Sequence, residues 1–276
     1  MVATPIGNRD DLSGRAIKTL QECHCIYAED TRHSRVLLQH HAIDTPLRSL
    51  HEHNEVARAD AMIAQLRNEG SLAIISDAGT PLISDPGYRI VRACQDAGIA
   101  VSPIPGASAL IAALSVAGLA TDRFLYVGFP PAKSAARKTW LNELANQSCT
   151  LVLYESPHRI LASLEDIVDV FGPEREMCMA RELTKRFETI LRGSSNDVLT
   201  AVQNDDQQQR GEFVLIIAGS VSAKNQPVEL AELTPLLNTL LKHMPVKTAA
   251  KVASEITGVP RKQAYDFGVQ LNQNDT

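Results

Sequence analysis

The stretch Ser76–Gly87 combines carboxylates, hydroxyls and glycines in a spacing that suits a ligand-binding loop. It reads SDAGTPLISDPG and directly follows the apolar run Leu72–Ile75, which predicts a short strand buried on both faces. Gly79 permits a positive φ and allows a ligand to approach the backbone closely. Small residues and carboxylates at the carboxyl end of a strand are typical of ligand sites in open α/β sheets. The same residues would also suit a tight loop without a ligand, because Asp and Gly favour turns.

Loops of the same kind follow other short apolar runs in the first half of the chain. They read TPIGN, AEDTRH and PIPGAS, and each precedes a segment with helical spacing. We expect strands at 25–28, 47–50 and 99–104, and a helix at 109–117 with Ser108 as its N-cap. Alternating strands and helices predict a mostly parallel sheet whose loops meet at one rim. We therefore predict an N-terminal α/β domain over residues 1–119.

The pattern changes after a boundary at 118–122. Apolar runs at 124–128, 151–154, 177–180, 187–191 and 213–218 have fewer helical segments between them, which predicts a mixed sheet. This second α/β domain is expected over residues 120–221. A linker at 221–226 then leads to helical spacing at 230–244, 246–256 and 261–271, a C-terminal helical module over 228–276. Two short helices across a glycine-containing turn resemble a helix-turn-helix, although the basic excess there is modest enough for a plain packing module.

Composition limits the classes of protein that this chain can represent. The 276 residues are 44% hydrophobic and 21% charged, with a net charge of −5. No apolar run approaches the roughly 20 residues of a membrane span, and no export signal is apparent, so we expect a cytoplasmic protein without a membrane partner. The negative charge argues against a protein that coats nucleic acid but allows a local basic patch. The scattered cysteines lack metal-ligand spacing, so we expect no metal.

Several well-known nucleotide and hydrolase motifs are absent from the sequence. It contains no G-x-x-x-x-G-K-[ST], no G-x-G-x-x-G and no G-x-S-x-G. The predicted cleft must therefore bind its ligand without a pyrophosphate cradle.

The order of the remaining motifs points to one family. TPIGN, AEDTRHS, SDAGTPLISDPG, PGASA, YESPHR and ARELTK occur in this order and together closely resemble the class III, or tetrapyrrole-methylase-like, S-adenosylmethionine methyltransferases. The resemblance is strongest to the members that modify small-subunit ribosomal RNA, and it extends over nearly the whole chain. It implies two α/β domains with S-adenosylmethionine between them and a homodimer. It also implies 2′-O-methylation of a cytidine in the decoding region of 16S rRNA, with no DNA partner.

The resemblance also assigns cofactor contacts to individual residues. By position these are Pro5, Asp77, Ala78, Gly79, Thr80, Ile83, Ser108, Ala109, Tyr154, Glu155 and Leu183.

Methyl transfer to a hydroxyl requires positioning and a proton acceptor but no covalent enzyme intermediate. Candidate catalytic groups at the predicted strand ends are Asp30, Asp85, Glu182 and Lys185. Alternatively, these groups pair with neighbouring charges in structural ion pairs. Candidate RNA-binding cations, three of them from a predicted basic loop at 129–138, are Arg32, Lys133, Arg137, Lys138 and Arg186.

Two other functions are compatible with the same fold. The first is a non-catalytic factor that binds the ribosome, and the second is a small-molecule methylase of the tetrapyrrole type. The AEDTRH loop and the helical C-terminal module argue against the second.

Overall fold

The computed structural model describes residues 1–51, 55–85, 87–220 and 233–274. The chain forms two compact units, one made of Met1–Ala145 with Cys149–Ala218 and one made of Asn146–Ser148 with Gly219–Thr276. The linker expected at 221–226 and the start of the helix expected at 230 lie outside the described residues, as does Pro86. The boundary expected at residue 119 falls inside the first unit and stays a prediction.

The N-terminal half of the first unit contains a sheet of three parallel strands in the order β2-β1-β3. The strands are β1 (Cys25–Ala28), β2 (Leu47–Ser49) and β3 (Leu72–Ile75). Val2 lies beside β3 and forms parallel bridges with both Ile75 and Ile104. The strand expected at 99–104 is thus reduced to a bridge at Ile104.

The described part of this N-terminal half also contains five α-helices. They are α1 (Gly14–Glu22), α2 (Thr31–His40), α3 (Glu55–Glu69), α4 (Tyr88–Asp96) and α5 (Ala109–Ala117). Helix α2 begins at Thr31 because the Asp30 carboxylate accepts hydrogen bonds from the backbone N–H groups of Arg32 and His33. Ser108 is the N-cap residue of α5, as predicted, although within the described chain its hydroxyl makes no capping hydrogen bond.

The second sheet has five strands in the order β4-β5-β8-β6-β7. They are β4 (Phe124–Gly128), β5 (Thr150–Glu155), β6 (Glu176–Arg181), β7 (Thr189–Ser194) and β8 (Phe213–Ile217). Strand β4 is parallel to β5, whereas the other neighbours are antiparallel, which confirms the predicted mixed sheet. The helices are α6 (Ser134–Leu144), α7 (Ile160–Phe171) and α8 (Ser195–Asn204). Helix α6 begins at Ser134 and replaces the second half of the loop that we expected at 129–138.

The second sheet is covered on both faces because side chains alternate along each strand. Leu151 and Leu153 of β5 belong to a core shared with α7 and α8. Val152 belongs to the opposite core, where Leu110 and Ala113 of α5 pack. Helix α5, from the N-terminal half, thus packs on the second sheet.

The second unit is helical, as predicted. It contains α9 (Thr234–Leu241), α10 (Val246–Thr257) and α11 (Arg261–Asn274). Helix α10 ends at Thr257, and the next residue, Gly258, has a left-handed conformation with φ of 75°. Small residues such as Ala249 and Ala253 are fully buried against Leu237, which lets the helices pack closely. No helix among the residues described is long and apolar enough to cross a membrane.

Arg137 lies in the core rather than on a basic surface loop. Its side chain is 2% exposed and its Nη2 lies 2.7 Å from Oδ2 of Asp166 on α7. Its guanidinium also donates to the carbonyl oxygens of Pro131, Ala132 and Ala162. The prediction that Arg137 contacts RNA phosphate is therefore wrong, because the side chain fixes the preceding loop to α7. This role was not predicted because residues 134–138 read as part of a loop, whereas they form the start of α6.

We expect Arg137→Ala to lower the free energy of unfolding by about 3–5 kcal/mol, because it leaves the buried Asp166 carboxylate without its main partner. Urea titration followed by circular dichroism measures this change. Lys138→Ala is the matched control, since its ammonium contacts Asp166 at 3.6 Å from a side chain that is 42% exposed. Its loss should be much smaller. Equal losses in the two variants would contradict the burial of Arg137.

Candidate active site

A cavity of about 400 Å³ lies in the first unit, where the loops after β3, β5 and β6 meet the N-terminal end of α5. This volume falls in the range of about 300–1,000 Å³ that small-molecule sites occupy. Most of the residues predicted to contact the cofactor line it. They are Ala78, Gly79, Thr80, Ile83, Ser108, Ala109, Tyr154, Glu155 and Leu183.

Two of the predicted cofactor residues lie beside the cavity instead of lining it. Pro5 precedes Ile6, which does line the cavity. Asp77 accepts a hydrogen bond from the backbone N–H of Asp30 at 3.0 Å. That bond ties the loop after β1 to the loop after β3.

The loop after β3 is held in place by the first residues of the chain. Thr4 and Gly79 exchange backbone hydrogen bonds of 2.9 and 3.1 Å. Gly79 has a φ of 81°, which agrees with the conformation expected from the sequence. A Cβ atom at Gly79 would lie 3.3 Å from Cγ2 of Ile6 and 3.6 Å from the carbonyl oxygen of Ala107. The hydroxyl of Thr80 donates to that same carbonyl oxygen at 3.0 Å. Gly79 is therefore favoured chiefly by its positive φ, while an added Cβ would require only a small shift of the Ile6 side chain.

Non-glycine residues with positive φ occur on two sides of the cavity. Leu82 and Ser84 have φ values of 76° and 66°, and Glu182 and Thr184 have values of 50° and 64°. Each such residue costs of order 1–3 kcal/mol and persists only where its surroundings fix it. Such strain is common at ligand sites, which agrees with the placement of these loops at the cavity.

Asp85 is the candidate catalytic residue that lines the cavity. Burial raises the pKa of its carboxyl from 3.8 to about 6, with further increases from the negative charges of Glu29 and Asp77. A hydrogen bond with Ser76 opposes this rise in pKa. Asp85 thus remains largely ionised at neutral pH, yet it is a stronger base than an ordinary carboxylate.

Aromatic residues form another wall of the site. The phenol oxygen of Tyr154 accepts a hydrogen bond from the backbone N–H of Leu110 at 3.2 Å, at the start of α5. Its ring packs edge-on against Tyr126 at 5.1 Å and against Phe129 at 5.6 Å. Burial raises the pKa of Tyr154 to about 12, so its hydroxyl stays protonated. Tyr154 therefore couples the end of β5 to the start of α5.

Glu155 makes hydrogen bonds and an ion pair that fix the local structure. Its carboxylate is buried and accepts hydrogen bonds from the backbone N–H of Ser156 and the hydroxyl of Ser163. It also pairs with the Arg159 guanidinium at 2.8 Å. These donors hold the YESPHR loop against α7.

The other catalytic candidates do not line the cavity. Asp30 caps α2 and pairs with Arg32, whose hydrogen bond lowers the pKa of the carboxyl. The Lys185 ammonium lies 2.9 Å from carboxylate oxygens of both Glu182 and Glu212. Burial raises the pKa of Glu182, but hydrogen bonds from Lys185 and from the Glu212 N–H outweigh it and lower that pKa. These groups fit the ion-pair alternative better than proton transfer.

Comparison with known proteins identifies the family. The model of the Tetrapyrrole (Corrin/Porphyrin) Methylases matches residues 1–199, and that of the RsmI C-terminal HTH domain matches residues 228–272. The chain belongs to the tetrapyrrole methylase family. Within it, the chain is 51% identical to ribosomal RNA small subunit methyltransferase I of Xylella fastidiosa, over 96% of each chain. It is 49% identical to the protein of that name from Pseudomonas aeruginosa, over 98% of this chain and 96% of that one.

Solved structures of tetrapyrrole methylases and related proteins share the fold. Uroporphyrin-III-C-methyltransferase from Thermus thermophilus has a TM-score of 0.55 at 20% identity, covering 78% of this chain and 91% of that one. Diphthine synthase has a TM-score of 0.58 at 12% identity, covering 78% and 87%. Another structure of the Thermus enzyme, complexed with S-adenosyl homocysteine, has a TM-score of 0.52 at 18% identity, covering 79% and 95%. The predicted family, fold class and cofactor class, S-adenosylmethionine, are confirmed.

Some cavity residues were missed by the sequence analysis. Ile6, Ser156, Pro157 and Ala180 lie inside the quoted family motifs, so their positions were available in the sequence. Glu212, Phe213 and Val214 reach the cavity because β8 lies between β5 and β6, an order that no local pattern shows.

The remaining RNA-binding candidates lie on the surface. Lys133 and Arg186 are exposed, and the Arg32 side chain is 92% exposed although it pairs with Asp30. Lys138 is partly exposed, and its ammonium pairs with Asp169 at 2.8 Å. RNA contact by these four side chains remains a prediction.

The raised pKa of Asp85 predicts a pH-dependent term in stability. Between the unfolded value of 3.8 and the folded value of about 6, the folded state binds more protons than the unfolded state. Wild-type stability should therefore fall, relative to Asp85→Asn, as pH rises from about 4 to about 6, and the difference should be constant above that. Urea titrations of both proteins across this range measure it. A difference that does not change with pH would contradict the raised pKa.

Proposed function

We propose that the protein is an S-adenosylmethionine-dependent methyltransferase that methylates the 2′-hydroxyl of a cytidine in the decoding region of 16S rRNA. The observation that carries this proposal is the 51% identity, over 96% of the chain, to a protein named ribosomal RNA small subunit methyltransferase I. The cytidine and its 2′-oxygen rest on the finer resemblance of the motifs. The small ribosomal subunit is the substrate particle, and the cytoplasm is where the protein would act.

The cavity fits S-adenosylmethionine in size and in chemical character. Its volume of about 400 Å³ suits a small-molecule ligand, and its wall combines apolar side chains with backbone and hydroxyl groups. The positive φ of Gly79 brings the backbone of 78–80 to the cavity wall. We assign cofactor binding to this segment, to Ser108 and Ala109, and to Tyr154 and Leu183.

The reaction requires little covalent chemistry from the protein. When bound, S-adenosylmethionine would supply a methyl group on a sulfonium for transfer to the ribose oxygen, and S-adenosylhomocysteine would leave as the carbon–sulfur bond breaks. The protein positions the hydroxyl and accepts its proton, and positioning alone supplies up to about 7–11 kcal/mol in favourable cases. We assign proton acceptance to Oδ of Asp85, because it lines the cavity and its pKa is raised to about 6.

RNA recognition is assigned to surfaces outside the cavity. Exposed cations suited to phosphate contact are Arg32, Lys133 and Arg186. Lys138, which is partly exposed, follows Lys133 closely in the sequence. The helical C-terminal unit matches the RsmI C-terminal HTH domain, which favours a role in substrate docking. A homodimer, implied by the family resemblance, completes the proposal.

Asp85→Asn should lower kcat for methyl transfer by about 10²-fold or more, because general bases contribute about 10²–10⁴-fold. The wild-type kcat should rise with pH up to about 6, where Asp85 ionises, and level off above it. The assay transfers labelled methyl from S-adenosylmethionine to unmethylated small ribosomal subunits, followed by mapping of the modified ribose.

Glu182→Gln is the matched control, because its carboxylate pairs with Lys185 outside the cavity wall. Its kcat should stay within a few-fold of wild type. An equal loss in both variants would remove Asp85 from the role of base. Wild-type protein that binds subunits without transferring methyl would favour the ribosome-binding factor, and transfer to a tetrapyrrole instead of RNA would favour the small-molecule methylase.

Deleting the residues after Gln226 should leave binding of S-adenosylmethionine near normal, because the cavity belongs to the first compact unit. Methylation of subunits should fall, mainly through a higher KM, as measured by calorimetry and by the labelled-methyl assay. An intact chain carrying Lys247→Glu and Lys262→Glu provides the comparison that keeps the fold of the unit. Normal KM values in both variants would assign the unit a structural role.

A further inference from the structure

A second, open groove is lined by residues that directly follow two of the cavity residues in the chain. It is formed by residues 7–10, His40 and residues 184–186, and we call it the rim groove. Ile6 and Leu183 line the cavity, and the residues that follow each of them, Gly7 and Thr184, line the groove. A polymer whose reacting nucleotide entered the cavity would therefore pass a neighbouring nucleotide along this groove.

The two sides of the rim groove are in direct contact at its base. The backbone N–H of Asn8 donates to the hydroxyl of Thr184 at 3.1 Å. A Cβ atom at Gly7 would lie 2.5 Å from Cγ of Lys185, so this position has room only for glycine. The close packing fixes the position of the groove relative to the cavity.

The charges at the rim groove suit a polyanion. Arg9 and Arg186 are exposed, while the charge of Lys185 is already balanced by Glu182 and Glu212. Asp10 contributes an acidic side chain to the lining. The side chains at the surface therefore offer guanidinium groups that can bind phosphate in bidentate geometry.

Phe187 stands next to this groove as an exposed aromatic ring. Its side chain is 62% exposed, although a ring of this size gains from burial. The Arg186 guanidinium lies 5.4 Å from the ring centroid. An aromatic face and an Arg plane are the groups on which proteins stack the unpaired bases of single-stranded RNA.

The backbone around Phe187 is held rigidly for an exposed loop. Nη1 of Arg181, a side chain that is itself buried, donates to the carbonyl oxygen of Phe187 at 3.0 Å. The N–H of Thr184, which has a positive φ, donates to the carboxylate of Glu188 at 2.6 Å. The loop is thus fixed with its aromatic ring exposed, which lowers the entropic cost of stacking a ligand on it.

We propose that Phe187 is a base-stacking platform for a nucleotide adjacent to the methylated one, with Arg186 and Arg9 binding its phosphate. This inference rests on the proposed function for its substrate. It requires an unstacked base in single-stranded RNA at this position, because a base inside a duplex is stacked on its neighbours and does not expose its face. Stacking here would fix the strand so that the target ribose stays in the cavity.

Phe187→Ala should raise KM for small subunits about 5- to 150-fold, which corresponds to the about 1–3 kcal/mol of one stacked base. Binding of S-adenosylmethionine, measured by calorimetry, should not change. Phe187→Trp should keep KM close to the wild-type value. Phe187→Leu should raise KM as Phe187→Ala does, because leucine is apolar but has no aromatic face. Phe124→Ala, which removes a ring that is 41% exposed on β4, is the matched control and should behave as wild type.

A direct binding experiment separates this inference from the proposed function. A single-stranded RNA of about 12 nucleotides containing 2-aminopurine should show fluorescence quenching on wild-type protein and on Phe187→Trp, but not on Phe187→Ala. Arg186→Ala should weaken binding of this RNA and reduce the slope of its salt dependence by about one ion.

Wild-type KM and unchanged quenching in Phe187→Ala would overturn the inference, as would full rescue by Phe187→Leu. Failure of the wild-type protein to methylate subunits would overturn the proposed function, while the quenching experiment would still decide whether Phe187 stacks bases.

Discussion

Helix α5 is the element on which the candidate site depends. It follows the first sheet in sequence, yet its residues Leu110, Ala113, Leu114 and Ala117 pack on Val152, Cys178 and Val214 of the second sheet. Its nine residues, ALIAALSVA, carry no charge. Burial of such side chains contributes about 1.5–3 kcal/mol each for the larger ones. This contact brings the loops of the two halves to one cavity, because Ser108 and Ala109 at the start of α5 line it.

The same contact explains why the loops at the cavity tolerate strain. Leu110 donates its N–H to Tyr154, and Thr80 donates to Ala107 just before the helix. The loop after β3 and the end of β5 are therefore fixed to one end of α5. That rigid support lets Leu82 and Ser84 keep positive φ values, and it keeps Asp85 half-buried near other carboxylates. The environment that raises the pKa of the Asp85 carboxyl thus depends on a loop that is held by its neighbours.

The sequence was sufficient for much of the fold and for most of the cavity wall. Gly79 and its neighbours could be placed because a buried apolar run followed by small residues is typical of a strand and the loop at its carboxyl end. The family motifs supplied positions such as Ser108 and Leu183. Arg137 could not be placed, since a buried arginine differs from an exposed one only in its tertiary partner, Asp166. Glu212 and Phe213 were inaccessible because they reach the cavity through the strand order of β8. Local patterns identify elements, whereas these contacts depend on which elements are neighbours.

The position of β8 also has a consequence for the order in which the protein acquires its site during synthesis. β8 lies between β5 and β6, although residues 213–217 follow both strands in the chain. Until this segment leaves the ribosome, β5 and β6 lack their common neighbour and the cavity lacks the wall formed by Phe213 and Val214. Non-local strand pairing of this kind is slow. The nascent chain therefore completes the cavity only after most of the protein has been made. By then, every residue proposed to hold the methyl donor has already been synthesised.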